Sequence, residues 1–212
     1  MTQQTNLEAS FTQRLFSLKE QENRAALAAL RRGLHQPPGA SVEVWRYVAP
    51  FTGSLPGWRA DYFCLVASLF ALHPDSAWPP AELQQRRIPP NLGDSFHRLE
   101  MKQGQSAGSE DSPERASPVE RRFLALLSCH PEDLPTHLRQ AVSLFKSHEI
   151  PVDWSQLLRD IQRWHYDDRP VQRHWAAAFW GGRHSALSDE SSPQDLTLED
   201  LPDSGNPDEF DQ

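Results

Sequence analysis

This chain predicts an all-α, two-lobed helical bundle of roughly seven to nine helices, and three observations lead there. Apolar residues recur at i, i+3, i+4 and i+7 through most of the 212 residues, with no sustained period-two alternation of the kind a half-buried strand shows. Eighteen prolines punctuate those stretches, so the helices are separated by many short, stiff connections. The stretch Gln103 to Ser117, Q-G-Q-S-A-G-S-E-D-S-P-E-R-A-S, has no apolar anchor and marks a mobile loop between two lobes. The expected organisation is an N-terminal helical lobe over 1–102, a flexible loop over 103–117, a C-terminal helical lobe over 118–183 and an acidic, disordered tail over 184–212.

The elements follow in order. Leu7, Phe11, Leu15, Leu18, Ala25, Ala29 and Leu30 sit near helical spacing, so one helix is expected from Leu7 to Arg32, stopped by Gly33. A short helix near Ser41 to Val48 follows the Pro37-Pro38-Gly39 turn and ends before Pro50. Trp58 to Leu72 is apolar almost all round, the pattern of a central core helix, and His73-Pro74 ends it. Pro79 to Pro90 reads as a loop with at most one turn, and Asn91 to Lys102 as a short helix with Leu92, Phe96 and Leu99 inward. Ser117, Pro118 and Glu120 match a capping box with proline at the first helical position. A helix with Leu138, Val142 and Phe145 inward follows Leu134. Asp153 with Gln156 opens a helix from Trp154 to Trp164, and the last runs from Arg169 to Trp180, stopped by Gly181-Gly182.

No run reaches the roughly 18 apolar residues of a membrane span, and the first residues, M-T-Q-Q-T-N-L-E, lack the basic start and apolar stretch of a secretory signal. The pattern is that of a cytoplasmic chain. Cys64 and Cys129 both fall inside apolar helical patterns and read as buried free thiols. The formal net charge of -8 comes from one end: nine of the 29 acids lie in residues 187 to 212, where there is no Lys or Arg. The remaining 20 acids face 21 bases, so the body is balanced and its bases are free to cluster. The tail itself suits either a solvating appendage or a mimic of nucleic acid covering a basic face.

Catalytic signals are absent from the pattern. The nine histidines include no H-x-x-x-H or H-E-x-x-H, no C-x-x-C occurs, and no phosphate-cradling glycine loop is present, so no metal or cofactor is expected. The single G-x-S-x-G, Gly104 to Gly108, lies in polar loop sequence rather than between a strand and a helix. Asp167 and Asp168 stand at a helix start, where capping explains them.

The bases are more informative. On the helix after Leu134, Arg139, Ser143 and Lys146 share one face beside the buried stripe, a spacing that suits phosphates. Arg159 and Arg163, four apart, either join such a surface or pair with acids such as Asp160. Arg59, Arg121 and Arg122 lie near helix starts, where a cation opposes the helix dipole at a cost of a few tenths to about 1 kcal/mol unless an anion compensates. Arg31, Arg32 and Lys146 lie near helix ends, where the dipole alone explains them. Of the tryptophans, Trp45, Trp154, Trp164 and Trp175 read as core, whereas Trp58, Trp78 and Trp180 are candidates for contact with bases or a partner.

The motifs A-L-R-R-G-L at 29–34, V-W-R-Y-V-A-P-F at 44–51, S-P-V-E-R-R-F-L-A-L-L at 117–127 and L-P-T-H-L-R-Q-A-V-S-L-F-K-S-H-E-I-P-V-D-W-S-Q-L-L-R-D at 134–160 resemble the CasB family, the small subunit of the type I-E CRISPR surveillance complex, Cascade. The likeness covers roughly residues 10 to 181, is most specific in the second half and excludes the tail. It implies an all-helical protein without enzymatic activity that sits as a pair along the crRNA-bound backbone. The implied partners are a second copy of itself, the backbone subunits and the large subunit. The implied task is to stabilise, through surface bases, the R-loop that guide RNA forms with target DNA. Carried over, the family's basic positions fall on Arg31, Arg32, Arg59, Arg121, Arg122 and Arg139; Gln140 stands where some relatives carry a second Arg. Face geometry adds Arg98 and Lys146.

Overall fold

The computed structural model describes residues 2–106 and 116–189, and these are helical, with no strand among them. The ten helices are α1 (Thr2–Glu20), α2 (Arg24–Arg32), α3 (Val42–Thr52), α4 (Gly57–Leu72), α5 (Pro80–Gln85), α6 (Leu92–Ser106), α7 (Pro118–Ser128), α8 (Leu134–Ser147), α9 (Trp154–Ile161) and α10 (Pro170–Asp189), with a 3-10 turn at Gly33–His35. The all-α expectation holds.

Several boundaries differ from expectation, among them the end of α9, which stops at Ile161 rather than Trp164. The single helix expected over Leu7 to Arg32 is two: Glu22 takes a left-handed backbone, φ 50°, and Asn23 caps α2 by accepting from the Ala26 amide at 3.0 Å. α3 continues through Pro50 because the proline lies in the last turn on an exposed face, where solvent can take the freed carbonyl. The turn expected within Pro79 to Pro90 is α5. α10 passes Gly181-Gly182, since glycine within a helix costs only about 0.5–1 kcal/mol and neither residue has to adopt a left-handed backbone. Of the loop expected at 103–117, residues through Ser106 belong to α6, and 107–115 lie outside the described residues, as does the tail from 190.

α4 is the hub, as its apolar circumference predicts: ten of its residues are buried, and α2, α3, α8 and α9 pack around it. Aromatic rings tie the layers together. Phe11 meets Phe63 at 4.9 Å between α1 and α4, and Phe70 meets Trp154 at 5.8 Å between α4 and α9. Phe96 lies 4.9 Å from Phe123 and 4.8 Å from Phe145, while Phe123 meets Phe179 at 4.5 Å, so α6, α7, α8 and α10 share one aromatic nucleus. Each such side chain, fully buried, contributes about 1.5–3 kcal/mol. All belong to one contiguous apolar cluster, and α6 packs chiefly on α10 and α7.

Candidate nucleic-acid interface

α7 begins where the sequence predicts. Pro118 occupies the first turn, and the Ser117 hydroxyl accepts from the Glu120 amide at 2.9 Å. Glu120 Oε1 accepts from the Trp180 indole at 2.9 Å, while Ser117 Oγ donates to Glu100 on α6. Those two bonds fix α7 against α10 and α6. Val119, Phe123 and Leu126 face the core, which leaves Arg121 and Arg122 on the exposed side. α8 buries Leu134, Leu138, Ala141, Val142 and Phe145, and its period then sets Arg139, Ser143 and Lys146 on an exposed stripe roughly 10 Å long.

Between α7 and α8 runs a groove of about 730 Å³, floored by Phe96, Leu126 and Ala141 and edged by Arg122, Thr136, Arg139 and Ser143. Arg139 also borders a second hollow of about 370 Å³ toward the 3-10 turn, and its Nη1 donates to the Leu34 carbonyl at 3.2 Å. The guanidinium thus stands at the seam between the two depressions.

The eight predicted bases divide into two groups. Arg121, Arg122, Arg139 and Lys146 are exposed, and none has an ion-pair partner among the described residues. The other four are engaged within the fold, Arg32, Arg59 and Arg98 by acids and Arg31 by a carbonyl alone, as Arg139 is by that of Leu34. Arg31 Nε donates to the Ala71 carbonyl at the end of α4, 3.0 Å away, and Arg32 pairs with Glu43 at 2.7 Å. Arg98 pairs with Glu82 at 2.6 Å and lies over the Trp78 ring at 5.4 Å. Arg59, only 16% exposed, donates to Gln162 Oε1 at 2.7 Å and lies 3.8 Å from Glu8, itself 2% exposed. Its unfavourable place in the first turn of α4 is therefore offset by a buried carboxylate.

Arg159 is half-buried and Arg163 exposed, with Arg163 stacked over Tyr166 at 5.9 Å. Neither bonds Asp160: that carboxylate is buried and accepts from the Trp175 indole and from Gln156, both at 2.7 Å. Of the three edge tryptophans, only Trp58 is largely exposed, at 48%. Trp78 is buried between Arg86 and Arg98, and Trp180 is half-buried. Thr136, His137 and Gln140 also line the groove, although residue type alone does not single them out; their signal is the helical spacing they share with Arg139 and Ser143.

No group of three His, Cys, Asp or Glu side chains able to hold a metal occurs among the described residues. Neither thiol is poised as a nucleophile, since burial pushes Cys64 up to about 12 and Cys129 up to about 11. Gly104 and Ser106 of the G-x-S-x-G lie in α6, so a helix occupies the place where a nucleophile elbow requires a strand. Among the described residues no helix is long and apolar enough to cross a membrane.

Residues 26–180 match the family described as CRISPR-associated protein Cse2. The chain belongs to the Cse2 family. It is 34% identical over 160 residues to CRISPR-associated protein Cse2 of Thermus thermophilus, a match spanning 74% of this chain and 79% of that protein. The crystal structure of CasB from M. ruber superposes with a TM-score of 0.65 at 31% identity, covering 87% of this chain and 98% of that one. A chain of a CRISPR RNA-guided surveillance complex superposes with a TM-score of 0.66 at 25% identity, covering 88% and 99% respectively. The CasB resemblance of the motifs and the Cse2 family match converge on one family.

Proposed function

We propose that this chain is the small, non-catalytic subunit of a type I-E CRISPR surveillance complex, Cascade, and acts in the cytoplasm. It assembles there beside backbone and large subunits and a second copy of itself. In that assembly it holds the sugar-phosphate backbone of target DNA opened by guide RNA, so that the R-loop persists. The observation that carries the nucleic-acid reading is the exposed set of Arg121, Arg122, Arg139 and Lys146 on two adjacent helices, without acidic partners among the described residues. Guanidinium groups suit this task because their planar fork bonds two phosphate oxygens at once. Sequence reading belongs to the guide RNA, and the protein supplies a positive wall that tracks the backbone. The likeness to a chain of an RNA-guided surveillance complex supports the assembly part of the proposal. The non-catalytic part rests on the Cse2 family match and the likeness to a surveillance-complex chain.

The test is the triple variant Arg121→Glu, Arg122→Glu, Arg139→Glu in the assembled complex. R-loop retention is expected to weaken while assembly persists. The salt slope of single-strand binding is expected to fall by about 0.7 for each phosphate that the variant no longer neutralises. DNA affinity and slope unchanged in that variant would sink the nucleic-acid reading and leave a subunit that binds protein alone.

A further inference from the structure

The hollow of about 370 Å³ beside Arg139 has features that phosphate tracking does not use. Its size falls at the small end of the roughly 300–1,000 Å³ typical of ligand pockets. Its walls are largely apolar, with Pro37 and Pro38 on the loop side and Val44 and Leu65 on the helix side. Arg139 is the one Lys or Arg among the described residues that lines it, and Glu132 lies on the rim, so a run of phosphates would meet repulsion there. The lining includes Ser68, which is 3% exposed and whose hydroxyl has no hydrogen-bond partner among the described residues. The hydroxyl is open to the hollow, where water or a ligand can reach it.

The loop side is held in shape before any ligand arrives. Gly39 adopts φ 81° and lies so close to α4 that a Cβ there would fall 1.8 Å from Asp61 Oδ1. Its carbonyl accepts from the Trp45 indole at 2.7 Å. A slot walled on the loop side by Pro37 and Pro38, with the Ser41, Ser68 and Thr136 hydroxyls along it and the Arg139 guanidinium beside it, suits a nucleobase joined to a single phosphate.

We propose that this hollow takes one unpaired nucleotide, its base between the proline loop and α4 and its phosphate on Arg139. The proposal rests on the nucleic-acid reading above and adds a base-binding site to it. The Ser68 hydroxyl would bond the polar edge of the base, and the fork of Arg139, which spends one donor on Leu34, keeps others for the phosphate.

The experiment uses the full chain and fluorescence anisotropy with two labelled strands of equal length, one of ordinary single-stranded DNA and one of abasic sugar-phosphate. The wild-type chain is expected to bind the strand with bases at least about fivefold more tightly, the gain expected from burying roughly 40 Å² of apolar base surface. Ser41→Leu fills the mouth from a half-buried rim position whose side chain makes no cap bond, so folding is spared. It is expected to abolish that preference while leaving the salt slope unchanged. Ser68→Ala is expected to weaken the base-bearing strand alone, by roughly twofold to tenfold for the removal of one hydrogen bond. The same pair of strands in RNA identifies the source: a base-dependent gain with either sugar supports the pocket, and equal binding with and without bases in both overturns it. Retention of the preference in Ser41→Leu also overturns it. The backbone reading fails separately, through loss of salt-dependent binding to the abasic strand.

Discussion

The polarity of a helix singles out Arg59, Arg121 and Arg122 alike, yet their surroundings separate them. Arg59 lies against Glu8 and Gln162, residues far from it in sequence, and is more than four-fifths covered. Replacing it with Ala leaves the Glu8 carboxylate buried without its cation and Gln162 Oε1 without its donor. That loss is expected to lower stability by about 2 kcal/mol or more, since a buried charged group left unpaired is costly. A urea titration of Arg59→Ala is the measurement, with single-strand affinity unchanged in the folded variant; full stability would contradict this placement. The same separation appears among the tryptophans. Trp58 and Trp78 both border helix ends in sequence, but one is half-exposed and the other sits between two guanidinium groups. No short-range pattern distinguishes such pairs, because the deciding neighbours come from other helices.

Helices are legible where their stop and start signals are local. Ser117 and Asp153 cap α7 and α9 as their residue types predict, with the Asp153 carboxylate accepting from the Gln156 amide at 2.8 Å. The break at Glu22-Asn23 is hidden in the sequence because apolar spacing continues across it. His73 shows how an element end becomes a junction. Its amide bonds carbonyls of the last turn of α4, and its Nε2 meets the Ile150 carbonyl, beyond α8, at 2.9 Å. Burial lowers its pKa from the ordinary 6.5, with the Ile150 carbonyl and Asp75 opposing and Lys146 adding to the effect. Near and below 6.5 the folded chain therefore binds fewer protons at this site than the unfolded chain. The stability His73 contributes is present above that value and is lost as pH falls through the lowered folded value. The urea midpoint is expected to drop between about pH 7.5 and pH 5, and to drop less in His73→Gln. An equal drop in both chains would assign the effect to other groups.

The whole molecule joins its two halves through α4 and through the aromatic nucleus shared by α6, α7, α8 and α10. Charge is spread unevenly along it. Residues 190–212 carry eight acids and no base, so their removal turns an acidic chain into a nearly balanced one. A segment of that charge is expected to oppose the approach of a polyanion to α7 and α8. The chain lacking 190–212 is expected to bind single-stranded DNA several-fold more tightly at low salt, with the difference fading as the Debye length shortens toward about 8 Å or less. Equal affinities at low salt would show that the field does not reach this face.

The sequence by itself determined that the chain is helical, which stripe of each helix is buried, that α4 is central, and that α7 and α8 carry bases on their open sides. These follow from the period of apolar residues and from caps within a few positions. Only the tertiary structure decided that Arg31, Arg32, Arg59 and Arg98 are engaged by carbonyls, acids and a ring within the fold, while Arg121, Arg122, Arg139 and Lys146 have no acidic partner among the described residues. It also decided that Arg139 meets a proline-lined hollow built mainly from residues about 70 to 105 positions earlier in the chain. The reason is common to both: whether a cation is spent on the fold or kept for a ligand depends on partners distant in sequence, which only packing brings together.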